Sequence, residues 1–198
     1  MGSKQVILAI VFIFLAGLAP AAEAPGKHRA AHPYRRQYVK DTFGKVPLAG
    51  VGARAAINHA RNSPKQWGGG PAGFGKRLAS GMGTHVVKNT IQFGVAAARH
   101  EDLQYHRSNE KKFGPRMRHA LVSTVVTRKT TTGKKTVAAG RISGALGTGL
   151  ISRAWQPAAM RTVGGGLATG GITLGASAGA NVAREFWPRK KRAARARR

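Results

Sequence analysis

Residues able to do chemistry are scarce in this chain, and most of them sit in one stretch, "RHEDLQYHRSNE", from Arg99 to Glu110. His100, Glu101, Asp102, His106 and Glu110 include three of only six carboxylates in 198 residues. Imidazoles beside carboxylates are the ligand set of divalent metals. The spacing does not build such a site, because His100 and His106 lie six apart and do not share a helix face, unlike the pair in H-E-x-x-H. The simpler expectation is a loop in which Glu101 and Asp102 pair with Arg99, Arg107, Lys111 and Lys112. "HRAAH" sets His28 and His32 at i,i+4, a metal-binding geometry only if the segment is helical. "GGGPAGFGK", from Gly68 to Lys76, is only loosely similar to a phosphate loop, because Arg77 stands where Ser or Thr is needed and no strand precedes it. Cysteine is absent, which removes thiolate ligands and nucleophiles. A Ser-His-Asp arrangement needs an acid behind its histidine, and acids are rare. The expectation is therefore no catalytic residue, no metal and no cofactor.

The elements around this loop read as helices. From Gly73 to about His100, apolar residues recur at Leu78, Met82, Val86, Ile91, Val95 and Ala98, near a 3.6-residue period, interrupted by Lys76, Arg77, Lys88 and Arg99. "PRMRHALVSTVVTR" reads as the next helix, with Pro115 in its first turn. Leu121 to Thr132 is the only locally strand-like stretch, being rich in Val and Thr. "VAAGRISGALGTGLISRAW" reads as a third helix. Pro157 can start a fourth, which Pro188 stops.

The third and fourth segments carry glycines four apart: Gly140 and Gly144 in one, Gly166 and Gly170 beside Gly171, Gly175 and Gly179 in the other. Residues four apart share a helix face, and a row without side chains admits a neighbouring helix backbone. Small-xxx-small rows are the packing device of membrane helices. Each glycine costs a helix interior ~1 kcal/mol relative to alanine, so close packing or a lipid surface must compensate. Thr162 to Ala183 carries no charge and reaches the ~20 residues that a membrane span needs, but its large aliphatics are few. The fold class expected is all-α: a compact bundle of about four Gly/Ala-rich helices over 71–188, with a largely disordered basic arm over 22–70, in which "LAGVGARAAINHARN" can form one short helix, and a polybasic tail over 189–198.

Charge dominates the surface. Thirty-four Lys and Arg against six Asp and Glu give a net charge of +28, which draws a protein to polyanions. "VILAIVFIFLAGLA" between Lys4 and "PAAEA" has the three-part form of a secretory signal peptide over 1–21, pointing to the periplasm or envelope. An uncleaved anchor is the alternative, supported by the basic residues that follow the apolar run. Lys27, Arg29, Arg35 and Arg36 in the arm, with Arg189, Lys190, Lys191, Arg192, Arg195, Arg197 and Arg198 in the tail, are the candidate contacts to anionic lipid or another envelope polyanion. Nucleic acid is the alternative partner, since Tyr34, Tyr38, Trp67, Phe74 and Trp187 are interleaved with basic residues and could stack on bases. Self-association through the Gly-rich helices is a further expectation.

The order of "HEDLQYHRS", "RMRHALVSTVVTR", "GLISRAWQP" and "ANVAREFWP" resembles a family of uncharacterised exported bacterial proteins, over roughly Phe74 to Pro188. The resemblance implies an exported, mostly helical, envelope-associated protein and carries no activity, cofactor or catalytic residue. The chain departs from that pattern at Leu103, where proline is usual, at Arg189, where an acid is usual, and near Ser177, where an acid is also more usual.

Overall fold

The computed structural model of the chain describes residues 31–188, with side chains from Tyr34 onward. In chain order the helices are α1 (Ala31–Phe43), α2 (Lys45–Ala60), α3 (Gly70–Ala98), α4 (Phe113–Val122), α5 (Ala139–Ile151) and α6 (Val163–Phe186). A small antiparallel hairpin, β1 (Val126–Arg128) with β2 (Lys135–Val137), follows α4. The molecule is thus a compact, mostly helical bundle. No helix among the described residues is long and apolar enough to cross a membrane.

Helix α5 is the centre, with α3 on one side and α6 on the other. The buried apolar residues are Ala55, Ile91, Phe93, Ala96, Ala120, Ala138 and Ala145; alanine predominates, so backbone approach rather than side-chain bulk fills this core. Glycine makes the approach possible. A Cβ on Gly140 would lie 2.7 Å from the Gln92 carbonyl oxygen of α3, and one on Gly144 would lie 3.0 Å from the Lys88 oxygen. On the other side, a Cβ on Gly149 would overlap the Gly166 carbonyl oxygen and lie 2.8 Å from the Gly170 nitrogen. Gly166 and Gly170 meet α5 in return: a Cβ on them would lie 3.2 and 3.0 Å from the Leu150 and Leu146 Cα atoms. Thr148, fully buried, adds a hydrogen bond from its hydroxyl to the Thr84 carbonyl at 3.0 Å.

Gly171, Gly175 and Gly179 behave differently. A Cβ on any of them would meet nothing within 4 Å, so they are not packing positions within this bundle. At 3.6 residues per turn, Gly171 lies about 100° around the helix from Gly170, which turns its row to the open side.

Residues 31–60 also depart from the expected arm: they form α1 and α2, and both pack on α3. The docking face of α1 is Tyr34, Tyr38 and Thr42, spaced by four. The Tyr34 hydroxyl donates to the Glu101 carbonyl at 2.8 Å. Tyr38 sits 3.1 Å from the Thr90 hydroxyl and stacks edge-on to Phe93 at 5.6 Å. Thr42 is fully buried and accepts from the Asn89 amide at 3.1 Å. A face of tyrosine and threonine buries well, because each hydroxyl finds a partner, yet it scores poorly as an apolar stripe.

The turn from α2 to α3 closes on Arg77, which interrupts the apolar period but is 3% exposed. Its guanidinium donates to the carbonyls of Ser63, Gly68 and Pro64 and to the Asn62 side chain at 2.8–3.0 Å, and approaches His59 Nδ1 at 3.2 Å. The Gly68–Lys76 stretch is therefore a helix entry gathered around an arginine.

Helix α4 stops at Val122 instead of running to Arg128, and the Val/Thr run beyond it enters the hairpin. Gly133 makes the turn at a φ of +67°, a conformation that glycine adopts freely. Pro157 starts only a short 3-10 turn, Ala158–Met160. Helix α6 begins at Val163, where the Thr162 side chain caps the Gly165 N–H at 3.1 Å.

Candidate functional site

Segments far apart in the chain converge on the loop from Arg99 to Lys112. Glu101 is fully buried. Its Oε1 accepts from Arg99 Nε at 2.7 Å and from the Ala139 N–H at 3.2 Å, and its Oε2 accepts from the Gly140 N–H at 2.9 Å. Helix α5 has alanine at its own N-cap position and no side-chain cap. Glu101 supplies the missing acceptor from another element, placing a negative charge at the helix N-terminus, where the dipole favours it.

Glu185, on α6, is the second fully buried carboxylate. It accepts from the Tyr105 hydroxyl at 2.8 Å, the Ser108 N–H at 3.1 Å and Arg116 Nε at 2.9 Å. Burial pushes its carboxyl up, but the hydrogen bonds from Arg116, Tyr105 and Ser108 outweigh that and hold it below the usual carboxylate range. Tyr105 moves the other way: burial, and then the hydrogen bond to Glu185, push its hydroxyl well above the ordinary tyrosine value. Arg116 also lies over the Phe186 ring at 4.6 Å. One turn before Glu185, buried Asn181 donates to the Thr124 hydroxyl at 3.2 Å. These ties fix α6 to the loop and to α4.

Asp102 does not pair with an arginine. Its carboxylate accepts from the Gln104 N–H and meets His106 Nε2, both at 2.8 Å. His119 reaches the His106 carbonyl at 2.8 Å. Among the described residues, no group of three or more His, Asp or Glu is placed to hold a metal ion. The His28 and His32 side chains lie outside the described residues.

Above this network opens a cleft of about 620 Å³ between the loop, α4 and the hairpin. Arg118, Arg128, Lys135 and Arg141 line it, with Asp102 and Glu110. A smaller hollow of about 350 Å³ lies beside it, against Arg116, Glu185 and Trp187.

The surface contacts expected from sequence divide in two. Arg35 and Arg36 are exposed on α1. Lys27, Arg29 and the tail residues Arg189, Lys190, Lys191, Arg192, Arg195, Arg197 and Arg198 lie outside the described residues. Of the aromatics expected to stack on bases, Tyr34 and Tyr38 are turned into the bundle, whereas Trp187 is 68% exposed. Glu185 and Arg77 escaped the sequence reading. The signal for Glu185 was a polar pair at i,i+4, Asn181 and Glu185, at the end of a helix that carries no charge before Arg184.

No family model, curated protein or solved structure matches this chain.

Proposed function

We propose that this chain is an exported, non-enzymatic envelope protein, held at anionic membrane surfaces by its basic arm and tail, with the Gly-packed bundle as the body it carries. One observation supports this most: the majority of the described carboxylates are used internally. Of the five between residues 31 and 188, Glu101 and Glu185 are fully buried and paired with arginines, and Asp102 pairs with His106. Little negative charge is left to offset 34 Lys and Arg at the surface. Near an anionic membrane each cation contributes ~1 kcal/mol. The clusters expected at both ends add their attraction as long as salt does not screen it.

The second reading is a polycationic binder of nucleic acid or another anionic polymer. Exposed Trp187 next to the basic tail favours it, and the inward-facing Tyr34 and Tyr38 count against it.

Vesicle co-sedimentation tests the choice. Because 31–60 packs on α3, the variants remove only residues 22–30 and 189–198. Loss of binding to anionic vesicles, with neutral vesicles unbound throughout, supports the proposal. Undiminished anionic-vesicle binding by the trimmed chain overturns it. Retention on single-stranded DNA in preference to vesicles favours the second reading.

A further inference from the structure

We propose that the cleft between the Arg99–Lys112 loop, α4 and the hairpin is a discrete binding site for a phosphomonoester group. The site does not rest on the arm-and-tail reading, because its residues belong to the bundle.

Three features of the cleft argue for a bound anion. Arg128 and Lys135 stand directly opposite each other across the hairpin, and both line the cleft. Like charges opposed across two strands are destabilising, and a two-stranded hairpin has little stability to spare. Arg118 brings a third cation to the same space from α4. None of these three is in an ion pair among the described residues.

The fourth cation is Arg141. It is half-buried, and its guanidinium donates to the Ser123 carbonyl and, at 3.0 Å, to the Leu103 carbonyl. Both acceptors are neutral. Desolvation lowers the pKa of this half-buried cation and Arg184 adds to the effect, while the Asp102 and Glu101 carboxylates offset it only in part. An anion in the cleft would complete that compensation and serve Arg118, Arg128 and Lys135 as well.

The donors suit a phosphate dianion. Its oxygens are strong acceptors able to serve several guanidinium and ammonium groups at once. Asp102, engaged by His106 and the Gln104 N–H, compensates Arg141 in part but pairs with none of Arg118, Arg128 and Lys135 among the described residues. Glu110, on the wall, is exposed and would accept from hydroxyls on the rest of the ligand. The volume, about 620 Å³, falls within the range of small-molecule sites and exceeds what phosphate alone would fill. A phosphorylated polyol or sugar and a phosphomonoester lipid headgroup share this chemistry.

The test compares the full chain with R128Q/K135Q and with a charge-matched control, R54Q/K76Q, on exposed positions of α2 and α3. Inorganic phosphate is titrated calorimetrically at constant ionic strength. In parallel, vesicles carrying phosphatidic acid are compared with phosphatidylglycerol vesicles of equal surface charge. R128Q/K135Q is expected to lose phosphate affinity about tenfold or more, and the control less than about twofold, since distant charges are screened. Without phosphate, R128Q/K135Q should melt no lower than the parent, because a repulsion has been removed. Phosphate should then raise the melting temperature of the parent and the control, but not of R128Q/K135Q. A phosphatidic acid preference that depends on the same pair marks a lipid headgroup as the source; phosphate binding without that preference marks a soluble ligand. Equal losses in both double variants, or no phosphate binding by the parent, would overturn the proposal.

Discussion

Gly149 lies in the seam between α5 and α6 and Gly175 on the open side of α6, and alanine at the two positions should have opposite effects. Both substitutions remove a helix-interior glycine, which favours the folded state by up to ~1 kcal/mol. At Gly175 nothing lies within 4 Å of the new methyl group, so that gain is realised and stability rises by ~0.5–1 kcal/mol. At Gly149 the methyl overlaps the Gly166 carbonyl oxygen and lies 2.8 Å from the Gly170 nitrogen and 3.2 Å from its Cα. All three are backbone atoms, so no rotamer change relieves the clash. Helices α5 and α6 must separate, and a gap of ~1 Å forfeits a quarter to a half of the dispersion attraction along the seam. Overpacking of this kind costs ~1–3 kcal/mol or more. The net expectation is a loss of ~1–2 kcal/mol for G149A. Urea denaturation followed by far-ultraviolet circular dichroism measures both. Equal stabilisation by the two substitutions would refute the close approach of α5 and α6. Destabilisation by G175A would mean that the outer face of α6 is covered.

E185Q should cost ~3 kcal/mol, because it leaves the Arg116 guanidinium without its carboxylate; urea midpoints at neutral pH measure it. The folded-state pKa of Glu185 is depressed, so its contribution is present above the unfolded carboxylate value of ~4.3 and fades as pH falls through the folded value; E185Q should flatten that acid limb. R77K keeps the charge but has three donors in place of five. It should destabilise by ~2–4 kcal/mol, since carbonyls at the α2–α3 turn are left without a donor. R77A should cost at least as much, and thermal melts of the two variants check this order.

The sequence announced α3, α5 and α6 through their periodicity and glycine spacing, because backbone approach needs glycine at fixed intervals. It did not say which of two adjacent rows on α6 would face α5. Gly166 and Gly170 could be told from Gly171, Gly175 and Gly179 only by the position of the neighbouring helix. Helix α1 was hidden because its docking face is Tyr34, Tyr38 and Thr42, whose burial depends on hydroxyl partners at Glu101, Thr90 and Asn89. The carboxylate loop stood out by composition, and the Arg99–Glu101 pair follows from proximity. The capping of α5 by Glu101 and the partnership of Glu185 with Arg116, 69 residues away, are long-range facts that no local spacing encodes. The hairpin showed only as a run of Val and Thr after α4; its opposed cations become visible once the register is known.

The proposed function requires attachment to the envelope through charge. The measurement that tests this most directly is stepwise washing of membranes from the native host, first with high salt and then with alkaline carbonate, with mass spectrometry of the mature N-terminus. Release by salt of a chain beginning near Ala22 is the predicted result, because attachment through the basic arm and tail is screened by salt. Retention through both washes would contradict it and require an apolar anchor.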